Sequence, residues 1–306
     1  MLIDIVLPLT LLLALGYSCI RFGFLSSAVV PQLSQFVIKV SLPAFLLGAL
    51  SSKNLYEIWQ PIYIAAYALG SVVIFALAVL YVKGYRQQDL TTASVLAMGA
   101  SMSNTGFIGS AVLTLLLNQH AAVYLSLTLM IENLCIVALM LILAEGAKQQ
   151  HSGLNLYLNT LIKLLKNPVI LAIILGMIFA AFEVRLPDFL LTTLQRLGQT
   201  ASPLALFIIG AGLVGISIKS IDRDTVVLVT LKLLAMPLLI FALLYGLNAP
   251  NEMLYAGTIL AMLPMPVAFA IFAEHYAMQQ RVLAPLMLST ILGFVLLTIT
   301  LTIWKI

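Results

Sequence analysis

The chain has 306 residues, of which 62% are hydrophobic and only 8% are charged, and its formal net charge is +4. A soluble domain carries about 25% charged residues, so a soluble globule of this length could not cover its apolar surface. The composition therefore excludes a soluble enzyme, a nucleic-acid-binding protein and a disordered chain, and indicates a polytopic membrane protein. The basic residues lie in short loops between apolar runs, which is the pattern that sets membrane orientation.

Ten apolar segments are long enough, or nearly long enough, to cross a bilayer as a helix, which needs about 20 residues. Their apolar runs are continuous and do not alternate, so a membrane barrel is excluded. Backbone groups in hydrocarbon must be satisfied internally, so we expect an all-α fold. The predicted spans are 3–20, 33–50, 59–82, 91–117, 121–144, 168–183, 200–218, 225–247, 253–277 and 283–303.

The fourth and ninth spans are longer than a bilayer requires, and each is interrupted near its middle. A helix cannot continue smoothly through Pro-x-Pro, because two amide donors are missing and the preceding carbonyls are crowded. A run of small polar residues followed by glycine interrupts the fourth span in a similar way. The interrupting residues are Ser103, Asn104, Thr105 and Gly106 in the fourth span, and Pro264, Met265 and Pro266 in the ninth.

The two halves of the chain resemble each other when one is shifted by 160 residues. Two prolines then match, against roughly 0.2 matches expected by chance, and the two interruptions coincide. The matching pairs are Pro8 with Pro168, Gly16 with Gly176, and Pro43 with Pro203. We predict a first five-helix repeat at 1–146, a cytoplasmic linker at 147–166 and a second five-helix repeat at 167–306. Five spans are an odd number, so the second half enters from the opposite face and the repeat is inverted.

The distribution of basic residues predicts the orientation. Four Lys and Arg lie on the side of the N-terminus, nine lie on the opposite side, and Lys39 and Lys232 lie within spans. The positive-inside rule then places both termini on the extracytoplasmic side of the inner cell membrane.

Two interrupted helices at corresponding positions of a repeat indicate a transporter binding site. A break at the bilayer midplane exposes backbone groups at a cost of several kcal/mol each unless protein, water or ligand satisfies them. A half-helix that begins after a break presents N–H groups and partial positive charge, so an anion such as a carboxylate is the natural ligand. We predict that the interrupting residues named above bind this substrate together with Asn133, a mid-span amide. The alternative is that Pro and Gly only kink two helices.

Ionisable residues inside spans are costly and usually face a cavity or a partner. Glu132 is interpreted either as a proton or cation coupling site beside the first break or as a buried structural carboxyl. Lys232 either pairs with Glu132 and belongs to the same proton or cation coupling site or, as we favour, snorkels to the cytoplasmic surface. Lys39 is expected to snorkel near a helix end, the alternative being attraction of an anion from the cytoplasm.

Several motifs occur in an order and spacing that resemble the auxin efflux carrier family of membrane transporters, to which plant PIN proteins and bacterial dicarboxylate carriers belong. The motifs are Ser41-Leu42-Pro43-Ala44 in the second span, Ser103-Asn104-Thr105-Gly106-Phe107-Ile108-Gly109 in the fourth, Asn167-Pro168 at the sixth, and Leu263-Pro264-Met265-Pro266 with Ala268 and Ala270 in the ninth. The resemblance covers essentially the whole chain, and the short central linker looks like the prokaryotic type.

The resemblance implies a ten-helix fold similar to that of bile-acid symporters and sodium–proton antiporters. Spans 1, 2, 6 and 7 would form a scaffold, and spans 3–5 and 8–10 a transport domain in which spans 4 and 9 cross. It also implies organic-anion substrates, an elevator-type movement, a homodimer through scaffold helices, and a place for Ser41 and Pro43 in the substrate site.

We therefore expect a secondary active or facilitative transporter that carries a small organic anion, a carboxylate or an auxin-like acid, across the lipid bilayer. Coupling to H⁺ or Na⁺ stays open, and so does the alternative of a non-transporting receptor or sensor for the same ligands. No nucleotide-binding loop or catalytic set is present, and His120, His151 and His275 lack metal-ligand spacing. We expect no enzyme activity, no cofactor, no metal and no nucleic-acid partner.

Overall fold

The computed structural model describes residues 2–117, 120–147, 168–212 and 221–304, together with residues 162, 166 and 214, and these ranges contain helices and short connections without any strand. Most of the predicted linker at 147–166 lies outside the described residues. The α-helices of the first half are Leu2–Arg21, Val29–Phe36, Leu42–Leu50, Leu55–Ile58, Pro61–Val79, Leu90–Ser101, Ser110–Leu117, Ala121–Ile131 and Ala138–Ala147. Those of the second half are Pro168–Ala181, Asp188–Gln199, Ala201–Gly212, Arg223–Thr230, Met236–Gly246, Asn251–Met262, Val267–His275 and Gln279–Trp304.

Wider π-helical turns join several of these helices into longer ones. They span Val37–Ser41, Leu80–Tyr85, Thr105–Gly109, Glu132–Val137 and Leu231–Ala235. Such turns insert a residue into the helix and frequently occur at functional sites. Four of the five contain residues that the sequence singled out, namely Lys39 and Ser41 in the first, Thr105, Glu132 and Lys232.

Within the part of the chain that the structure describes, six helical stretches are long and apolar enough to cross a membrane. They are Val29–Leu50, Tyr56–Tyr85, Leu90–Leu117, Ala121–Ala144, Arg223–Gly246 and Gln280–Trp304. Of the other four predicted spans, 3–20 coincides with the 20-residue helix Leu2–Arg21, and the other three coincide with shorter or divided helices. An all-helical membrane fold is therefore established, whereas the count of ten spans and the inverted repeat stay predictions.

The same side-chain arrangement starts two of the long helices. Asp89 accepts hydrogen bonds from the backbone N–H and the hydroxyl of Thr92, at 2.9 and 2.6 Å. Asp222 accepts the equivalent pair from Thr225, at 2.8 and 2.7 Å. Partial burial alone would raise the pKa of each carboxyl, but the threonine hydrogen bonds outweigh it and hold both pKa values below their usual range. An aspartate at this position satisfies N–H groups that the first helical turn leaves free.

A separate helix that the sequence did not indicate precedes the seventh predicted span. The helix Asp188–Gln199 packs along Leu42–Leu50, and Ala201–Gly212 begins next to the predicted start at residue 200. Contact is close because Gly198 has no side chain, and a Cβ there would lie 2.7 Å from the Cα of Phe45. Polar residues on the outer face of this helix lower its hydropathy, which concealed it in the sequence.

The first helix lies in backbone contact with the helix Ala201–Gly212. A Cβ on Gly16 would stand 2.0 Å from the carbonyl oxygen of Phe207, and a Cβ on Gly210 would stand 1.9 Å from that of Leu13. Only glycine permits two helix backbones to approach this closely. Gly210 therefore packs against another helix of the same chain and is not free for a contact between two copies. The homodimer through scaffold helices stays a prediction.

Candidate functional site

Both interruptions predicted from the sequence are present. The helix Leu90–Ser101 gives way to extended backbone at Met102, with φ −116° and ψ 153°, and helical structure resumes at Thr105. The helix Asn251–Met262 likewise ends in extended backbone, and the next helix begins at Val267.

The two interruptions touch each other. The backbone N–H of Asn104 donates a hydrogen bond of 2.9 Å to the carbonyl oxygen of Pro264. A polar backbone group freed by one break is therefore satisfied by the other, which lowers the cost of both breaks.

The half-helices on either side of the two breaks pack in reciprocal pairs, and the place where the breaks meet is called the crossing. Gly99, which precedes the first break, lies against the ring of Phe269, which follows the second; a Cβ on Gly99 would stand 2.6 Å from ring atom Cε1. In the other pair, a Cβ on Gly109, after the first break, would lie 3.0 Å from a methyl of Leu260, before the second. The half-helix before each break thus packs on the half-helix after the other.

A buried carboxyl accepts a hydrogen bond from one backbone N–H group of the first break. Glu132 is 1% exposed, and its Oε1 accepts a 2.8 Å hydrogen bond from the backbone N–H of Ser103. The hydroxyl of Tyr67 lies 3.5 Å from the same oxygen and 3.4 Å from Oγ of Ser103. The π-helical turn that begins at Glu132 therefore aims its first side chain at the break.

A buried lysine contacts both breaks. The Nζ of Lys232 donates to Oγ of Ser103 at 2.8 Å and to the carbonyl oxygen of Ala261 at 2.5 Å. Its side chain is fully buried, so the expectation that Lys232 snorkels to the surface was wrong. Among the described residues no ion pair within 4 Å joins Lys232 to Glu132; Ser103 bridges them instead.

The carbonyl of Ala261 is free to accept this bond because the second break removes its helical partner. In a continuous helix it would accept from the N–H of Met265. That N–H instead faces the hydroxyl of Ser289, at 3.3 Å. The residue between, Pro264, has no N–H to offer. Lys232 thus replaces the helical hydrogen bond to Ala261 that the second break removes.

A cavity of about 490 Å³ lies beside the crossing. Its lining combines a few polar groups with a larger number of apolar side chains, which is typical of small-molecule sites. The predicted residues in its lining are Ser103, Asn104, Gly106, Glu132, Asn133 and Pro266. Its apolar lining includes Ile38, Leu42, Phe107, Leu129, Val169 and Phe272.

Other predicted residues lie outside this lining. Thr105 is fully buried in the first break, and its hydroxyl has no hydrogen-bond partner among the described residues. Pro264 and Met265 are part of the second break itself and are buried, Met265 with 1% exposure. Ser41 faces a different helix, because its hydroxyl lies 2.7 Å from that of Thr200, and Pro43 stands in the first turn of Leu42–Leu50.

The comparison with known families identifies the chain. The family model described as Membrane transport protein matches residues 1–304. The chain belongs to this family. This confirms the resemblance drawn from the motifs, and the protein is a multi-pass membrane transporter and not an enzyme. The transporter is 26% identical over 302 residues to a protein of Rhizobium meliloti (strain 1021) named "Putative malonate transporter". The matched region covers 96% of this chain and 93% of that protein.

The sequence did not single out three side chains at the transporter's crossing. Tyr67 contacts Glu132 and Ser103. The hydroxyl of Ser289 accepts a hydrogen bond from the N–H of Met265, and Leu42 lines the cavity. Tyr67 carried a recognisable signal, since a tyrosine in mid-span needs a partner for its hydroxyl. Ser289 and Leu42 carried none, because serine and leucine are ordinary residues of membrane helices.

Proposed function

We propose that the transporter carries a small organic anion with at least one carboxylate, and that the anion binds where the two breaks meet. The observation that carries this proposal is the hydrogen bond between Asn104 and Pro264 beside a cavity of about 490 Å³. The name of the Rhizobium relative agrees, since malonate is a small dicarboxylate. A volume of this size accommodates such a molecule together with water.

The groups around the cavity suit a carboxylate. The helix that resumes at Thr105 presents its first N–H groups, which lack intrahelical partners, and the start of Val267–His275 does the same from the other break. The amides of Asn104 and Asn133 orient the ligand; Nδ2 of Asn133 already donates 2.8 Å to the carbonyl of Leu129. The proposed site therefore relies on helix ends and amides, and the imidazole of His275 also lines the cavity.

We propose further that Glu132 couples transport to protons. Its carboxyl lines the same cavity as the proposed anion, so two negative charges would repel across a short distance in a medium of low dielectric. Protonation of Glu132 removes this repulsion and favours anion binding. Substrate and proton would then move in the same direction.

Alternating access is supported by a second cavity, of about 630 Å³, which continues along the half-helix that follows the first break. Its lining includes Phe45, Gly48, Lys53, Ser110, Thr114 and Gln199. The first cavity reaches Gly106 and Phe107, and the second reaches Ser110 and Thr114, on the same stretch of chain. In our proposal these two cavities are the access routes from the two sides of the membrane. Movement of the crossed helices against Leu42–Leu50 would open one route and close the other.

The proposed inverted repeat accounts for two reciprocal contacts. In the first contact, Gly16 of the first helix packs on the helix that contains Gly210. A shift of 160 residues relates Gly16 to Gly176 and Leu50 to Gly210. In the second contact, Gly176 packs on Leu50 in the same way. Exchange of partners between equivalent helices is what a two-fold axis in the membrane plane produces. With the charge bias of the loops, it supports extracytoplasmic termini.

A flux screen tests the proposed function. Purified protein in proteoliposomes is supplied with mono- and dicarboxylates of two to six carbons, under imposed pH gradients or none. We expect saturable uptake of at least one of these acids, faster with an inward proton gradient. A protein that binds a carboxylate in detergent but gives no flux with any of them is a receptor, and transport is then contradicted.

A further inference from the structure

The surroundings of Lys232 are those of a bound cation. Nζ has two oxygen neighbours, Oγ of Ser103 at 2.8 Å and the carbonyl of Ala261 at 2.5 Å, and the thioether sulfur of Met236 lies at 3.2 Å. The lysine is fully buried in a π-helical turn, where an isolated charge would be costly.

Both oxygens lie at helix breaks, and each is suited to a positive charge. The carbonyl of Ala261 stands in the last turn of Asn251–Met262, where the helix dipole leaves partial negative charge and the helical partner is missing. Oγ of Ser103 belongs to the residue whose N–H holds the buried carboxylate of Glu132. Transporters with broken helices coordinate a coupling cation with unwound carbonyls and half-helix C-terminal ends of this kind.

We propose that the ammonium group of Lys232 is a tethered substitute for such a cation. It permanently fills a monovalent-cation site made by the Ser103 hydroxyl and the Ala261 carbonyl. The protein therefore binds no Na⁺ or K⁺ there, and anion transport proceeds without either ion. The cation site stands on the contacts alone, whereas the independence of transport from sodium rests on the proposed function.

The proposal specifies what removal of the lysine does. Lys232→Ala deletes three methylene groups and the ammonium, which together have the shape of n-propylammonium. The variant leaves a slot that this ion fits, lined at its far end by the two oxygens. Lys232→Met fills the slot with an uncharged chain and leaves no room for an added amine, so it is the matched control.

Thermal unfolding in detergent without any carboxylate tests the cation site. Each protein is heated in n-propylammonium, sodium, potassium or choline chloride at equal ionic strength. We expect one midpoint for the unchanged protein in all four salts. Lys232→Ala unfolds at a lower temperature in choline and gains about 3 °C or more in n-propylammonium, with smaller gains in sodium or potassium. Lys232→Met shows no such gain.

The proposal is overturned if Lys232→Ala has the same midpoint in all four salts, or if sodium raises the midpoint of the unchanged protein above that in choline. A second measurement does not depend on the variant folding. Carboxylate flux by the unchanged protein should be equal with sodium or choline, and a fall of about tenfold in choline contradicts the proposal. Absence of flux in every salt contradicts the proposed function instead, while the unfolding experiment still decides the cation site.

Discussion

Gly99 lies against the ring of Phe269, so closely that a Cβ on Gly99 would stand 2.6 Å from ring atom Cε1. This contact joins the half-helix before the first break to the half-helix after the second. The crossing therefore depends on a glycine facing an aromatic ring in a fully packed interior, where added volume is not absorbed.

Gly99→Ala should destabilise the crossing by about 1–3 kcal/mol, because the new methyl group forces the ring of Phe269 or the backbone to move. The thermal midpoint in detergent measures the loss. Phe269→Leu in the same chain should recover part of it. Gly84→Ala is the control, since its added Cβ meets no other described element within 4 Å. Equal midpoints for the two glycine variants would show that the helices do not cross as described.

Gly210→Ala should be poorly tolerated, because the added Cβ would stand 1.9 Å from the carbonyl oxygen of Leu13 and a backbone atom cannot rotate away. We expect a loss of about 1–3 kcal/mol in the free energy of unfolding, or failure to yield folded protein. Gly212→Ala, two residues further, meets no described residue within 4 Å and should behave as the unchanged chain. The yield of monodisperse protein compares them; equal yields and midpoints contradict the helix pairing.

Glu132→Gln should remove the dependence of uptake on a proton gradient. Glutamine keeps an oxygen for the N–H of Ser103, so the break stays satisfied, but it cannot take up or release a proton. Uptake is measured in proteoliposomes with and without an inward gradient. Glu183→Gln, an exposed loop variant, is the control. If Glu132→Gln still accelerates with the gradient as the unchanged protein does, Glu132 is not the coupling group.

Acid should weaken the two aspartate caps. The pKa values of Asp89 and Asp222 are lowered in the folded protein, so their stabilising contribution is present above the pKa of the unfolded chain and is lost as the pH falls through the folded value. The thermal midpoint should therefore fall between pH 6 and about pH 3. Replacing both residues by alanine should cost about 0.5–2 kcal/mol per cap at neutral pH and flatten this slope. An unchanged slope would assign the acid sensitivity to other groups.

Local chemistry made the two breaks predictable. Pro264 and Pro266 remove amide donors wherever they stand, and the small polar run ending at Gly106 has weak helix preference in any context. The meeting of the two breaks also followed from their equal places in the two halves. These are properties of short segments and of spacing, which a sequence displays directly.

Tertiary packing decided the residues that the sequence misplaced. Lys232 was expected to reach the surface, but its helix turns it toward the Ala261 carbonyl, a group that only the fold presents. The hydroxyl of Ser41, which the resemblance assigns to the substrate site, lies against that of Thr200, a contact that the sequence did not indicate. Which face of a uniformly apolar helix points inward cannot be predicted from its composition.

The central claim is that the joined breaks bind the anion, and equilibrium binding tests it most directly. Calorimetry with malonate compares the unchanged protein with Asn104→Ala and with Asn251→Ala, a control at an exposed helix start. We predict that Asn104→Ala binds malonate, or whichever carboxylate the flux screen selects, at least about tenfold more weakly, while Asn251→Ala binds as before. Equal affinity of all three proteins would contradict the assignment of the substrate site to the crossing.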